Sequence, residues 1–262
     1  MVKKLFSLMG VLVLSGMVLG SPLFAADPTE LTIATENADT YPWGMADGTG
    51  IDFAHVKLVA KNLGIQVKFV TYPWKRCLET LKANDVDAVF SGSFKKKRQE
   101  MGVYPMKGDT YDESKCLHSS SYSLYVLKDS KLSWDGNGFV GGLEGKIGCP
   151  AGYSIIEKVK GAGAEVHEVK TTAQLMQMLV AGRIQGVVTL TPQGDFELSK
   201  NADFESKIKK EEKPLVKKPY FLLFSHKMVK ENPEFCKKFW DEIEKVRESD
   251  EYKKASEDFL NK

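Results

Sequence analysis

Cysteine is scarce: the 262-residue chain has four. That is too few for a small disulfide-stapled scaffold. The spacings between Cys77, Cys116, Cys149 and Cys236 include no C-x-x-C pair, so a structural zinc site has no support. These cysteines allow three complete disulfide pairings, and isolated buried thiols are the alternative. Histidine is equally sparse. His55, His118, His167 and His226 share no metal-ligand spacing, so neither a metal nor a cofactor is expected. No paired carboxylates and no Ser/His/Asp grouping attach to a common set of loops, which argues against an enzyme. An excess of one charge is missing too. Lys3 and Lys4 lie in the first 25 residues, which hold no acid; 37 basic residues less these two leaves 35, against 35 acidic. A nucleic-acid binder needs a large basic excess to offset phosphate charge. Low-complexity tracts are absent, and hydrophobic residues at 42% with charged residues at 27% are globular values.

Long apolar runs are missing as well, except one. Lys3 and Lys4 precede a mostly apolar stretch from Leu5 to Leu19, followed by Ser21, Pro22 and the small pair Ala25-Ala26. A charged start, an apolar middle and a small-residue cleavage site predict a signal peptide over 1–26. A retained membrane anchor is the alternative, but about 15 residues fall short of the roughly 20 needed to span a bilayer. No cysteine follows the run, so a lipid-modified N-terminus is not expected. The mature chain is predicted to start near Ala26 or Asp27 as a soluble periplasmic monomer.

What is present is an alternation of short apolar strands and helical stripes. Leu31–Thr35 reads as a strand. Ile51 to Leu63 carries apolar residues at near-helical spacing, with Gly64 as its C-cap. Ile65 to Val70 alternates with period two. Pro73 opens a helix whose face is Trp74, Cys77, Leu78 and Leu81, and Val86 to Phe90 is a strand. Strand, helix, strand, helix, strand implies a parallel sheet with right-handed crossovers. A second round begins at Gly145. It holds a strand at Lys146–Cys149, a Ser154-x-x-Glu157 capping box, a strand at Glu165–Val169, a helix capped by Thr171 or Thr172, and a strand at Gly186–Leu190. After Leu215 come a strand at Pro219–Phe224, a helix started by Asn232-Pro233 and a final helix capped by Ser249.

The two rounds superpose by a shift of 98 residues. Leu81 falls on Leu179, Ala83 on Ala181, Val86 on Ile184 and Val89 on Val187. Ser91 and Ser93 then fall on Thr189 and Thr191. Each half is therefore expected to end a strand with two hydroxyl residues on one face.

Three segments carry a resemblance. Val86 to Glu100, with Ser91-Gly92-Ser93 and Arg98, is similar to a strand, a serine-containing loop and an x-x-R helix start. Gly50-Ile51-Asp52 is similar to G-F-D, and Ala181 to Gly186 to A-G-R-x-D-A. In this order the chain resembles the periplasmic solute-binding proteins of ABC importers, family 3, which includes the polar amino-acid binders. The resemblance implies an α/β, two-lobed periplasmic-binding-protein fold. Each lobe is a mostly parallel sheet flanked by helices, and two hinge strands near 121–123 and 213–219 join them. Lobe 1 is expected over 27–121 plus 219–262, and lobe 2 over 122–218. The implied function is capture of a small molecule in the cleft and delivery to membrane ABC permease subunits.

Ligands of open parallel sheets sit beyond the carboxyl ends of the strands. There Ser91, Ser93 and Arg98 make a carboxylate clamp, because a guanidinium binds a carboxylate bidentately. In the amino-acid binders the position matching Arg98 grips the ligand's α-carboxylate; a solvated basic helix start is the alternative. Tyr153 and Ser154, at a helix start in the second lobe, are further candidates, as are Thr189 and Thr191. For Ser154, simple helix capping is the competing role. Tyr41, Trp43 and Trp74 are candidate aromatic contacts, although Trp74 also fits a buried helix stripe. Arg76 is either a second anion contact or a surface charge. One departure stands out: where the family register places an acid for the ligand's ammonium, this chain has Leu190. An ordinary α-amino acid would then need Asp39, Asp52 or Asp195 as a substitute. Two other functions compete: a periplasmic dehydratase acting on cyclic precursors of aromatic amino acids, and a ligand sensor without transport.

Overall fold

The computed structural model describes residues 27–261. The predicted signal peptide over 1–26 lies outside the described residues. Among these, no helix is long and apolar enough to cross a membrane.

The first three strands and two helices form as the spacing predicts: β1 (Glu30–Glu36), α1 (Ile51–Leu63), β2 (Gln66–Tyr72), α2 (Trp74–Ala83) and β3 (Ala88–Ser93). Gly64 closes α1 in the left-handed conformation, its N–H bonded to the carbonyls of Ala60 and Lys61. A small hairpin, β4 (Met106–Lys107) with β5 (Thr110–Tyr111), leads into the long strand β6 (His118–Leu127). A second hairpin, β7 (Ser133–Trp134) with β8 (Phe139–Val140), precedes the second round. That round comprises β9 (Ile147–Pro150), α3 (Ile156–Gly161), β10 (Val166–Val169), α4 (Thr172–Val180) and β11 (Gly186–Leu190). Then come α5 (Thr191–Lys200), α6 (Ala202–Lys207), β12 (Ile208–Lys210), β13 (Val216–Phe224), α7 (His226–Glu231), α8 (Pro233–Glu248) and α9 (Asp250–Leu260).

Nine strands join in one sheet, in the order β10-β9-β11-β6-β13-β3-β1-β2, with β12 paired to β6. The outer groups are parallel, as expected for helical crossovers: β1 with β2 and β3, and β9 with β10 and β11. The two central strands, β6 and β13, are antiparallel to each other, with Val216 opposite Tyr122 and Tyr220 opposite His118. The chain passes from one parallel group to the other along β6 and returns along β13.

Each parallel group has its own core on both faces. In the first, Leu31, Ile33, Ala88, Phe90, Leu222 and Phe224 pack with α1, α8 and α9. The alternate residues Ala34, Val89, Phe221 and Leu223 pack with Trp74, Cys77, Leu78 and Leu81 of α2. Strands buried on both faces read as continuous apolar runs, which is why Ala88 to Phe90 carries no polar alternation. In the second group, Leu124, Val126, Val188 and Leu190 face one cluster, and Tyr125 and Val187 face another with α4. The described chain both begins and ends in the first group: Asp27 pairs with Lys238 of α8 at 3.0 Å, and Tyr252 and Phe259 of α9 reach its core.

One expectation is corrected, and one pair of open alternatives is decided. The Ser154-x-x-Glu157 capping box does not form: α3 starts after Ile155, and no side chain caps it. Ser154 Oγ is engaged elsewhere, and Glu157 pairs with Lys95 at 2.6 Å. All four cysteines are buried and free, so none of the disulfide pairings forms. By contrast Thr171 caps α4 and Ser249 caps α9 by accepting backbone N–H groups.

Candidate functional site

A cavity lies between the two parallel groups, at the carboxyl ends of their strands. Counting the open solvent at its mouth, it holds about 540 Å³ of space free of atoms. Thr35 and Glu36 come from the end of β1; Phe90, Ser91 and Ser93 from β3; Tyr153 and Ser154 from the β9–α3 connection; and Leu190 from the end of β11. His118, Tyr122 and Tyr220 come from the central strands, and Trp43 and Trp74 complete the aromatic wall.

A break in β3 aims its side chains. Phe221 faces Gly92 and Leu223 faces Val89, so β3 carries one residue more than β13 across that step. Such a bulge kinks a strand and redirects side chains. Within it, Ser91 has φ 59°, a left-handed conformation that costs a non-glycine residue free energy. The result is that Phe90, Ser91 and Ser93 all reach the cavity wall.

One end of the cavity is basic. Arg98 is 5% exposed. Its guanidinium donates to Ser93 O at 2.8 Å and to Gly152 O at 3.3 Å, and it lies 5.5 Å from the centre of the Trp74 ring. All these acceptors are neutral, and among the described residues Arg98 forms no ion pair. Lys218, outside the lining, donates to Ser154 Oγ at 3.1 Å from behind the wall, and Ser154 Oγ is 2.8 Å from Ser93 Oγ. Burial, then the Arg98 charge, hold the Lys218 ammonium below its usual range. Two shielded cations without a carboxylate are unfavourable, and an incoming anion would relieve both. Gly152 permits the approach: it adopts φ 78°, and a Cβ there would lie 2.8 Å from Lys75 Cγ.

Another part of the wall is acidic. Glu36 accepts a hydrogen bond from Tyr153 OH at 2.8 Å, across the two halves. Burial raises its carboxyl to about 7, against the lowering pull of Tyr153, Lys170 and Arg98. Behind the wall, Asp52 is fully buried. It accepts from the Ser91 hydroxyl and lies 2.9 Å from His118 Nδ1.

Of the residues singled out in the sequence, Arg98, Ser91, Ser93, Trp43, Trp74, Tyr153 and Ser154 line this cavity. Trp74 does so while also packing in the stripe with Cys77, Leu78 and Leu81. Four are found elsewhere. Tyr41 stacks on Phe196 of α5 at 4.1 Å, outside the lining. Arg76 is exposed, 5.0 Å from the centre of the Tyr72 ring. Thr189 bonds Thr172 Oγ1, and Thr191 bonds Ser123 Oγ. The reason is strand alternation: Leu190 takes the cavity-facing place, so its neighbours point away. The bulge in β3 has no counterpart in β11, and the two halves are out of phase by one residue at this point. Among the acids weighed as substitutes, Asp39 accepts from Ala46 N, Asp195 pairs with Lys210, and Asp52 is tied behind the wall.

The acid the sequence reading missed is Glu36, with His118, Tyr122 and Tyr220. A polar residue ending an apolar strand was the available signal for Glu36; nothing local marks the others. Among the described residues no group of His, Cys, Asp and Glu fits a metal ion.

A family model described as bacterial extracellular solute-binding proteins, family 3, matches residues 31–262. An ancestral arginine-binding protein solved with arginine is similar at TM-score 0.71 and 22% identity, over 90% of this chain and 100% of that one. The GluR0 ligand-binding core from Nostoc punctiforme, solved with L-glutamate, is similar at TM-score 0.70 and 16% identity, over 88% and 100%. An ancestral amino-acid-binding protein, AncCDT-1, described as a precursor of cyclohexadienyl dehydratase, is similar at TM-score 0.65 and 19% identity, over 88% and 95%. At these identities the likeness concerns the fold. A search of curated proteins found no match.

Proposed function

Because the chain belongs to the bacterial extracellular solute-binding proteins of family 3, we propose that it captures a small carboxylate-bearing molecule, an amino acid or a close relative, between two lobes and delivers it to an ABC permease. The observation that carries this reading is Arg98: a guanidinium 5% exposed, on the cavity wall, with only neutral oxygens for partners. A bound carboxylate would accept from Arg98 and from the Ser93 and Ser154 hydroxyls, with Lys218 supporting Ser154 from behind. Charge-assisted bonds of this kind are roughly twice as strong as neutral ones.

The lobes we propose are 27–121 with 219–262, and 122–218, hinged on β6 and β13. Contacts across the cleft would form on closure: Glu36 with Tyr153, Ser93 with Ser154, and Lys75 with Glu168 at 3.0 Å. Leu190 leaves the second half without an acid on the wall, and Glu36 in the first takes the place of a partner for a ligand amine. Export through a leader over 1–26, a periplasmic site of action and a monomeric state belong to the same proposal.

A second reading has one observation in its favour. A carboxyl held near 7 in a closed cleft is suited to proton transfer, so Glu36 would serve a dehydratase-type reaction. Calorimetry separates the two. A binder gives a saturable one-to-one isotherm with an amino or organic acid, and Arg98→Ala weakens it at least 100-fold. Product accumulating at catalytic protein concentrations would establish the second reading, and an unchanged isotherm in Arg98→Ala would remove the clamp.

A further inference from the structure

The carboxylate clamp leaves one group on the cavity wall unused. His118 is 6% exposed, and its ring is held by several contacts. Nδ1 lies 2.9 Å from Asp52 Oδ1, Trp43 stacks on the ring at 3.7 Å with a 4° interplanar angle, and Tyr220 stacks at 4.7 Å with 11°. Asp52 is held in turn, because its other oxygen accepts from the Ser91 hydroxyl. A carboxylate beside Nδ1 keeps the proton on that nitrogen, which leaves the lone pair of the singly protonated ring on Nε2. Nε2 is buried and has no hydrogen-bond partner. So are Trp43 Nε1 and Thr35 Oγ1, on two more residues of the same wall. The hydroxyl of Tyr220, the ring stacked on the other face of His118, is a fourth. Buried polar atoms are rarely left without partners, and four on one cavity point to a molecule that supplies them.

We propose that His118 is a specificity-determining residue whose Nε2 accepts a hydrogen bond from an N–H or O–H of the bound molecule, with Asp52 as the positioning residue that fixes the tautomer. The inference rests on the reading that a small carboxylate occupies this cavity, and it adds a second feature to that ligand. Trp43 Nε1–H, on the ring stacked against His118, is a donor lacking an acceptor. A free acceptor and a free donor on adjacent rings match a group that both gives and takes a hydrogen bond. The ligand class is therefore a small carboxylic acid bearing a hydroxyl or a primary carboxamide.

The test uses the full mature chain and two sets of probes in calorimetry. L-serine, L-threonine, L-asparagine and L-glutamine carry the group; L-alanine, L-valine, L-leucine and L-methionine match them in size without it. The best hydroxyl or amide probe is expected to bind at least 10-fold tighter than its apolar match. His118→Asn keeps a donor toward Asp52 and removes the Nε2 acceptor. It is expected to weaken that probe roughly 10- to 100-fold and the apolar match at least 5-fold less. Arg98→Ala is expected to weaken both sets alike. If no probe of either set binds the wild type, the carboxylate reading fails, and this inference with it. If probes bind and Arg98→Ala weakens them, but the apolar matches bind equally well or His118→Asn changes nothing, the inference alone is overturned. A measurement free of ligand guards against a variant that does not fold. In 15N spectra of the wild type, His118 is expected to show a protonated Nδ1 and a lone-pair Nε2, and Asp52→Asn to shift the population toward Nε2–H. A protonated Nε2 in the ligand-free wild type overturns the proposal.

Discussion

Replacing Glu36 with glutamine is expected to remove one component of the pH dependence of stability, and its size follows from the cavity wall. The carboxyl sits near 7 in the folded protein, against 4.5 for a free glutamate side chain. The folded state therefore holds this proton more tightly than the unfolded chain does. Below about pH 4.5 both states are protonated, and the contribution to stability is fully present. As pH rises, the unfolded chain loses its proton first, and stability falls until pH passes about 7. A shift of this size corresponds to about 3 kcal/mol at 1.36 kcal/mol per pH unit. Because the carboxyl is partly open to the cavity, screening reduces the figure to roughly 2 kcal/mol. Glutamine accepts the same bond from Tyr153 OH but does not titrate. Urea unfolding of both proteins at pH 5 and pH 8 measures the effect, with all other groups cancelling in the difference. The wild type is expected to lose about 2 kcal/mol more than Glu36→Gln between the two pH values. Parallel behaviour of the two proteins, or a larger loss in the variant, would refute a desolvated Glu36.

His55 runs in the opposite direction. It is fully buried with Nε2 2.9 Å from Ile243 O, and burial lowers it to about 4. Its contribution is complete above pH 6.5 and is lost as pH falls toward 4, by about 3 kcal/mol; a His55 resonance titrating near 6.5 would contradict this. At Ser91 the left-handed backbone predicts an inverted series. Ser91→Ala and Ser91→Gly both lose the bond to Asp52, but glycine relieves the strain, so Gly is expected to be the more stable by about 1 kcal/mol in urea unfolding. An alanine variant at least as stable would show that no strain is held there. The cysteines are expected to stay silent toward an aromatic disulfide reagent until denaturant is added. Burial pushes Cys77, Cys149 and Cys236 up to about 12 and raises Cys116 as well. Rapid reaction of any thiol in the native protein would contradict the packing around it.

Where local physics decided the outcome, the sequence was readable. The apolar spacing from Ile51, closed by Gly64, places α1 at its observed bounds, and the Thr171 and Ser249 caps lie where residue type predicts. Helix α5 gave no such signal. It buries Gln193, Gly194 and Glu197, so its inward face is polar and no apolar stripe marks it. Ser154 and Glu157 satisfied a capping pattern, but tertiary partners claimed both side chains first. The site was half legible for a related reason. Arg98, Ser91 and Ser93 lie within one short segment. Asp52 and His118 are 66 residues apart, and Glu36 and Tyr153 are 117 apart. Only the folded sheet brings those pairs together. The one-residue phase difference between Ser91 and Thr189 was also hidden, because a bulge leaves no mark in residue type alone.

Both ends of the described chain belong to the half of the sheet that holds β1, α8 and α9. A purification tag, surface tether or fluorescent domain fused at either end thus pulls on that half alone and leaves the other unloaded. Two reporters placed at the described chain's two ends would lie on the same side of β6 and β13, and so on a single one of the proposed lobes. Moving one of them to the β7–β8 hairpin, across β6 and β13, would place the pair on both proposed lobes and make their separation a gauge of the proposed closure.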